Sequence, residues 1–329
     1  MSAIRATARC RVDLGGGTLD IWPLGLLHPG SVTVNVAIDV RAEIELVPGG
    51  DAYRVVQGGE SLAAESLRAL AEQPDGALVA RLLSAFDPGP CEIRIATGSP
   101  RGAGLGGSSA IAVALLAATE IASDGATRLS ALERARLARD LEAQLMGLPT
   151  GLQDHLPAQL GGALEIDHRP GGERVRALDI DLAALGERLV VAYTGQSHFS
   201  AGANWGVVRG RLDGDPDRVE RLDRVARAAS GMASALEAGD WATLGAAIDR
   251  EWQARRGLSP EISTPTIETL LESAKELGAW GGKACGAGGG GCVLVLVPPA
   301  KRGELVAAWT SRGAQVLDAP PTRSGLELG

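Results

Sequence analysis

Several groups of side chains in this 329-residue chain are spaced to handle an anionic ligand. The run Gly98-Ser99-Pro100-Arg101-Gly102-Ala103-Gly104-Leu105-Gly106-Gly107-Ser108-Ser109 precedes a long Ala/Leu/Val helix. Glycines let successive backbone N–H groups face an anion, and the helix after them points its positive end the same way. Ser108 and Ser109 add hydroxyls for hydrogen bonds or for a Mg2+ ion. Carboxylates follow. Glu142 shares a helical stripe with Ala135, Ala138, Leu145 and Met146. A carboxylate on such a face needs a partner, either a metal ion or a buried arginine. Asp154 stands just beyond a Pro-Thr-Gly turn at a helix start, where an acidic residue also favours the helix dipole. Asp20 follows Gly15-Gly16-Gly17-Thr18-Leu19 and is suited either to binding hydroxyls or to stabilising its own turn. Arg11 lies in the first strand, and a cation beside a carboxylate favours its charged form.

Gly102-x-Gly104-x-x-Gly107 spells a dinucleotide-binding fingerprint. Its surroundings argue against that use. The helix after it leads into another helix starting at Ser130, not into a strand bearing an acidic residue. A Walker A loop fails as well, because Ser108 stands where lysine is required.

The elements that must hold these residues are readable. Alternation of apolar and polar residues predicts strands over Arg9–Leu14 and Ser31–Val47, with further strands at Cys91–Thr97, Ala163–Ile166, Leu189–Tyr193 and Cys292–Val297. Ser130 and Glu133 form a capping box, and Gly147 ends the helix they open. Helices are expected near Leu152–Leu160, Pro216–Glu237, Trp241–Arg255, Thr266–Leu277 and Lys301–Ser311. The turn Arg169-Pro170-Gly171-Gly172 reads as a domain boundary, giving domains 1–168 and 169–329. The fold class is mixed α+β in both halves.

Composition narrows the function classes. Aromatic residues make up 3% of the chain, so the cores are aliphatic. The net charge is −8 with no basic run, which speaks against a nucleic-acid partner. Cys10, Cys91, Cys285 and Cys292 lack metal-ligand spacing and read as buried free thiols of a reducing, cytoplasmic protein with no membrane partner.

Three segments in order carry a family resemblance. Pro100-Arg101-Gly102-Ala103-Gly104-Leu105-Gly106-Gly107-Ser108-Ser109-Ala110 resembles the phosphate-binding motif of the GHMP kinases. Arg11-Val12-Asp13-Leu14-Gly15-Gly16-Gly17-Thr18-Leu19-Asp20 resembles their substrate motif, and Gly281-Gly282-Lys283-Ala284-Cys285-Gly286-Ala287-Gly288-Gly289-Gly290-Gly291 their C-terminal glycine motif. Details resemble the heptose 7-phosphate kinase branch, although Leu19, Gly107 and His155 depart from its pattern. The resemblance implies an N-terminal ribosomal-protein-S5-like domain and a C-terminal ferredoxin-like domain with a cleft between them. It implies ATP and Mg2+, with a sugar or sugar phosphate as acceptor, the anomeric hydroxyl included. Asp154 and Arg11 would be catalytic. Gly102, Ala103, Gly104, Leu105, Gly106, Gly107, Ser108 and Ser109 would bind ATP, with Ser108 and Glu142 at the metal. Asp20, Gly17, Thr18, His198 and Gly288 would meet the acceptor. An isoprenoid or amino-alcohol kinase of the same fold, or a sensor without turnover, are the rival readings.

Overall fold

The computed structural model describes residues 2–197 and 201–329, with backbone alone for 201–203. Strands β1 (Ile4–Gly15) and β2 (Val32–Pro48) form a long antiparallel pair. The far edge of β2 is shared. Its first residues pair with β6 (Ala163–Asp167) and its last with β5 (Cys91–Thr97). A hairpin of β3 (Tyr53–Gln57) and β4 (Glu60–Ala64) adds to β5, β3 running parallel to it. Strand β7 (Arg174–Leu178) pairs with β6, and β12 (Glu327–Leu328) returns to β1.

Alternation along β1 sends Ala8, Cys10, Val12 and Leu14 into the main core. The opposite face, with Arg9, Arg11 and Asp13, is buried as well. The polar face of the strand is therefore interior, and its charges need partners. The helix Gly107–Asp124 is buried along Ser109–Glu120 and packs between β1, β2 and the helices Ala77–Leu83 and Ala131–Met146. Its Ala/Leu/Val composition all round suits a core helix. The Ala131–Met146 helix begins at the Ser130/Glu133 capping box and stops at Gly147, whose φ of 65° is left-handed.

The second sheet runs β11 (Gln315–Val316), β8 (Leu189–Tyr193), β10 (Cys292–Leu296), β9 (Gly281–Ala284), antiparallel throughout. Helices Trp241–Arg255, Pro265–Glu276 and Pro299–Ser311 pack on it around Trp252 and Trp309. No helix among the described residues is long and apolar enough to cross a membrane.

Two expectations change. The Arg169–Gly172 turn joins β6 to β7 inside the larger sheet, so it does not separate sheets. The segment 216–237 is two helices, Pro216–Ala229 and Met232–Glu237, because Gly231 adopts φ 88° between them. The helix Ala201–Leu212 and the β3–β4 hairpin were not anticipated.

Candidate active site

A cavity of about 460 Å³ opens where loops of the two sheets meet. Asp154 occupies the residue before the His155–Leu160 helix, yet its side chain does not cap that helix. It turns instead to Arg11, whose Nε donates to Asp154 Oδ1 at 2.9 Å and whose second nitrogen bonds the same oxygen. The third guanidinium nitrogen donates to the Gly104 carbonyl at 2.6 Å. Arg11 thus fastens Asp154 to the glycine loop. Its side chain is 2% exposed, whereas that of Asp154 is 29% exposed and faces the cavity. Burial works against charge on Arg11, but the carboxylates of Asp154 and Asp13 outweigh it and raise its pKa.

Gly102, Gly104 and Gly106 take φ of 68°, 72° and 74°, a left-handed region costly for other residues. Gly106 precedes the core helix and brings no capping side chain. The first N–H groups of a helix have no intrahelical acceptor, so those of Gly107, Ser108 and Ser109 suit an anion at the cavity. Ala103 and Leu105 between the glycines are buried, and their carbonyls accept from Cys292 N and Arg11 N.

The two glycine motifs interlock. A Cβ on Gly104 would lie 2.6 Å from the Cys285 carbonyl oxygen, one on Gly286 2.7 Å from the Gly104 Cα, and one on Gly291 2.7 Å from the carbonyl oxygens of Gly102 and Ala103. Backbone crosses backbone here, so the glycines serve loop packing as well as anion approach.

Glu142 found a partner that the sequence did not offer. His155 Nε2 and Ser109 Oγ (2.8 Å) both bond its Oε2. Burial alone would raise its pKa, but the charge and hydrogen bond of His155, with Ser109 and Ser108, lower it. His155 is raised in turn, Glu142 outweighing its burial. The pairing is with histidine, where arginine had been the alternative to metal.

Asp20 Oδ2 accepts from the Gln153 backbone N–H at 2.8 Å, so the segment after β1 is tied to the turn that carries Asp154. Burial raises the pKa of Asp20. A Cβ on Gly17 would lie 2.5 Å from Asp13 Oδ2 and 2.6 Å from Gln153 Oε1, leaving no room for a side chain. Thr18 and Gly288 line the cavity with Gly17 and Asp20. His198 lies outside the described residues.

Behind the cavity sits a sealed charge cluster. Lys283 Nζ is 2.9 Å from Asp13 Oδ2 and 3.0 Å from Glu251 Oε2, all three side chains at most 1% exposed. Arg255 approaches Asp13 at 3.9 Å and donates to the carbonyls of Ala284 and Gly286. Burial pushes the Asp13 pKa up, but Lys283 and then Arg255 pull it below its ordinary value. Neither Glu251 nor Arg255 was signalled by its sequence neighbourhood. A lysine in a Gly/Ala run was the only available hint.

The N-terminal-domain model of the GHMP kinases matches residues 69–162, and their C-terminal model matches residues 232–315, together more than half of the chain. The chain belongs to the GHMP kinases. This GHMP kinase is 27% identical over 343 residues to D-glycero-alpha-D-manno-heptose 7-phosphate kinase of Campylobacter jejuni, covering 99% of each protein. It is 32% identical over 244 residues to galactokinase of Mycobacterium tuberculosis, covering 65% of this chain and 66% of that one. Its fold is that of a D-glycero-D-manno-heptose 1-phosphate kinase from Bacteriodes thetaiotaomicron, at TM-score 0.78, 20% identity and coverage of 99% and 98%. The GHMP kinase is accordingly a small-molecule kinase of two-domain α+β architecture.

Proposed function

We propose that this kinase moves the γ-phosphoryl group of ATP to a hydroxyl of a sugar or sugar phosphate, with Asp154 as the group that orients and deprotonates the acceptor. The observation that carries this is the Arg11–Asp154 pair, anchored to the glycine loop and open to the cavity. Phosphoryl transfer asks the protein mainly for positioning and charge stabilisation. Asp154 takes the hydroxyl proton, and the acceptor oxygen bonds to the γ-phosphorus while the bond to the departing ADP oxygen breaks. The N–H groups at Gly107–Ser109 hold phosphate oxygens, and Arg11 fixes the carboxylate and adds positive potential. Asp20 and Thr18 receive the other hydroxyls of the acceptor.

Mg2+ suits the residues present. It takes oxygen ligands and leaves most positions to water and phosphate. The Ser108 hydroxyl and the Glu142 carboxylate, held ionised by its neighbours, would hold it. When bound it would neutralise negative charge on the phosphates during transfer. We place the domain boundary between β7 and β8, where the sheets change, and the enzyme in the cytoplasm, in keeping with four buried free cysteines.

The test is a coupled assay of ADP release over aldoses, deoxysugars and sugar phosphates, paired with thermal shift. A ligand that binds only the folded chain raises the melting temperature as its concentration passes its Kd. Mg-ATP should do so, NAD should not, and at least one sugar should release ADP stoichiometrically. Stabilisation by NAD alone would end the kinase reading of this cavity.

A further inference from the structure

The helix Ala201–Leu212 places a large aromatic ring where no phosphate chemistry needs one. Trp205 is 43% exposed and lines the same cavity as Asp20 and Asp154. Asn204 and Val208 line it too, and positions i, i+1 and i+4 share one face of a helix. The buried side of the helix fixes where that face lies. Val207 and Val208 share a core with Leu19 and Ile21, the residues flanking Asp20. The helix is also pinned at both ends of this contact. Arg211 donates to His28 Nε2 at 3.0 Å and to the Leu27 carbonyl at 3.2 Å, and Arg218 donates to the Gly206 carbonyl at 3.2 Å. Trp205 is therefore carried on an anchored helix into the cavity that Asp20 and Thr18 also line.

We infer that Trp205 is a specificity-determining residue that packs against the apolar C–H face of a ring-form sugar while Asp20 and Thr18 take its hydroxyls. The inference rests on the kinase reading above and deepens it by naming how the acceptor is recognised. A sugar ring has one face rich in C–H groups and an edge rich in hydroxyls. The cavity lining offers the matching division, an exposed indole and a buried carboxylate. Binding sites commonly combine an aromatic surface with a few placed polar groups in this way. A rigid aromatic also loses little side-chain freedom on binding.

The experiment uses the full chain with Mg-ATP, and with D-galactose and a heptose 7-phosphate as acceptors. Wild type is compared with Trp205→Ala, Trp205→Phe and Trp22→Ala, the last an exposed tryptophan outside the cavity lining. Trp205→Ala should raise the acceptor KM about tenfold, equivalent to ~1.4 kcal/mol, with kcat and the KM for ATP changed less than about threefold (~0.65 kcal/mol at most). Trp205→Phe should recover most of the loss, and Trp22→Ala should match wild type. Sugar added without ATP should quench tryptophan fluorescence in wild type and not in Trp205→Phe. A rise in the KM for ATP alone would put the ring at the nucleotide and overturn the inference. So would an unchanged acceptor KM in Trp205→Ala. If the wild type phosphorylates neither these nor any other sugar, the functional reading falls and takes this one with it. An active wild type with an indifferent Trp205→Ala removes this one alone.

Discussion

Arg11 and Asp13 stand two residues apart on the same face of β1, and each anchors a charge cluster of a different kind. Arg11 reaches Asp154, whose carboxylate is partly open to the cavity. Asp13 reaches Lys283, which is closed off with Glu251 and Arg255. The first cluster keeps one member in contact with solvent, where an acceptor hydroxyl can arrive. The second exposes nothing and ties β1 of one sheet to β9 of the other, with Arg255 holding the loop that interlocks with the phosphate loop. One pair is placed to react and the other to align. Exposure, not residue type, separates them.

The comparison is broken most severely at Asp154. Asp154→Asn should cut turnover ~10²–10⁴-fold, the range for losing a general base. Its melting temperature should fall only modestly, because the amide oxygen can still accept from Arg11 Nε and Asp13 stays close to the guanidinium. Turnover close to wild type in steady-state kinetics would remove Asp154 from the reaction. Lys283→Met should behave in the opposite way. It leaves Glu251 buried without its cation and Asp13 with only the more distant Arg255, and breaking such a cluster costs ~3–5 kcal/mol. Denaturant unfolding should register that loss, and full stability in the variant would show that the cluster does not hold the sheets.

Gly104 links the two regions, since it touches Cys285 and receives Arg11. A side chain at Gly104 would meet the Cys285 carbonyl oxygen at 2.6 Å, so substitution here strains the fold as well as the nucleotide site. Even Gly104→Ala should lose ~1–3 kcal/mol of stability, from left-handed backbone and overpacking together. It should also weaken the thermal shift with Mg-ATP. An unchanged melting temperature without ligand would count against the interlock.

The smallest effect is expected at Asp20. Its raised pKa means that the folded state favours the protonated form. Its contribution to stability is therefore complete below the unfolded aspartate value of ~3.9 and fades as pH rises through the folded value. In Asp20→Asn that pH dependence should vanish. The acceptor KM should rise about tenfold, worth ~1.4 kcal/mol, with the KM for ATP unchanged. An acid limb of kcat/KM that is identical in Asp20→Asn and wild type would assign the limb to another group.

Much of this protein was legible locally. The capping box at Ser130, the stop at Gly147, the apolar helix after Ser109 and the three glycine motifs are short-range signals, fixed by residues a few positions apart. Asp154, Arg11, Asp20 and the glycine loop were named from sequence, and the fold brings them to one cavity. What sequence could not supply were the partners. His155 reaches Glu142 from another helix, and Lys283 reaches Asp13 across 270 positions. The alternation of β1 puts Arg11 and Asp13 on one face, and residues of the second sheet and its loop help to cover it. A strand's pattern tells which residues share a face; what covers that face depends on chain far away. The types of the chemical groups were therefore determined by the sequence alone. Which carboxylate stayed open to a substrate, and which was sealed to hold two sheets together, was decided only by tertiary packing, because desolvation and pairing of a charge depend on everything folded around it.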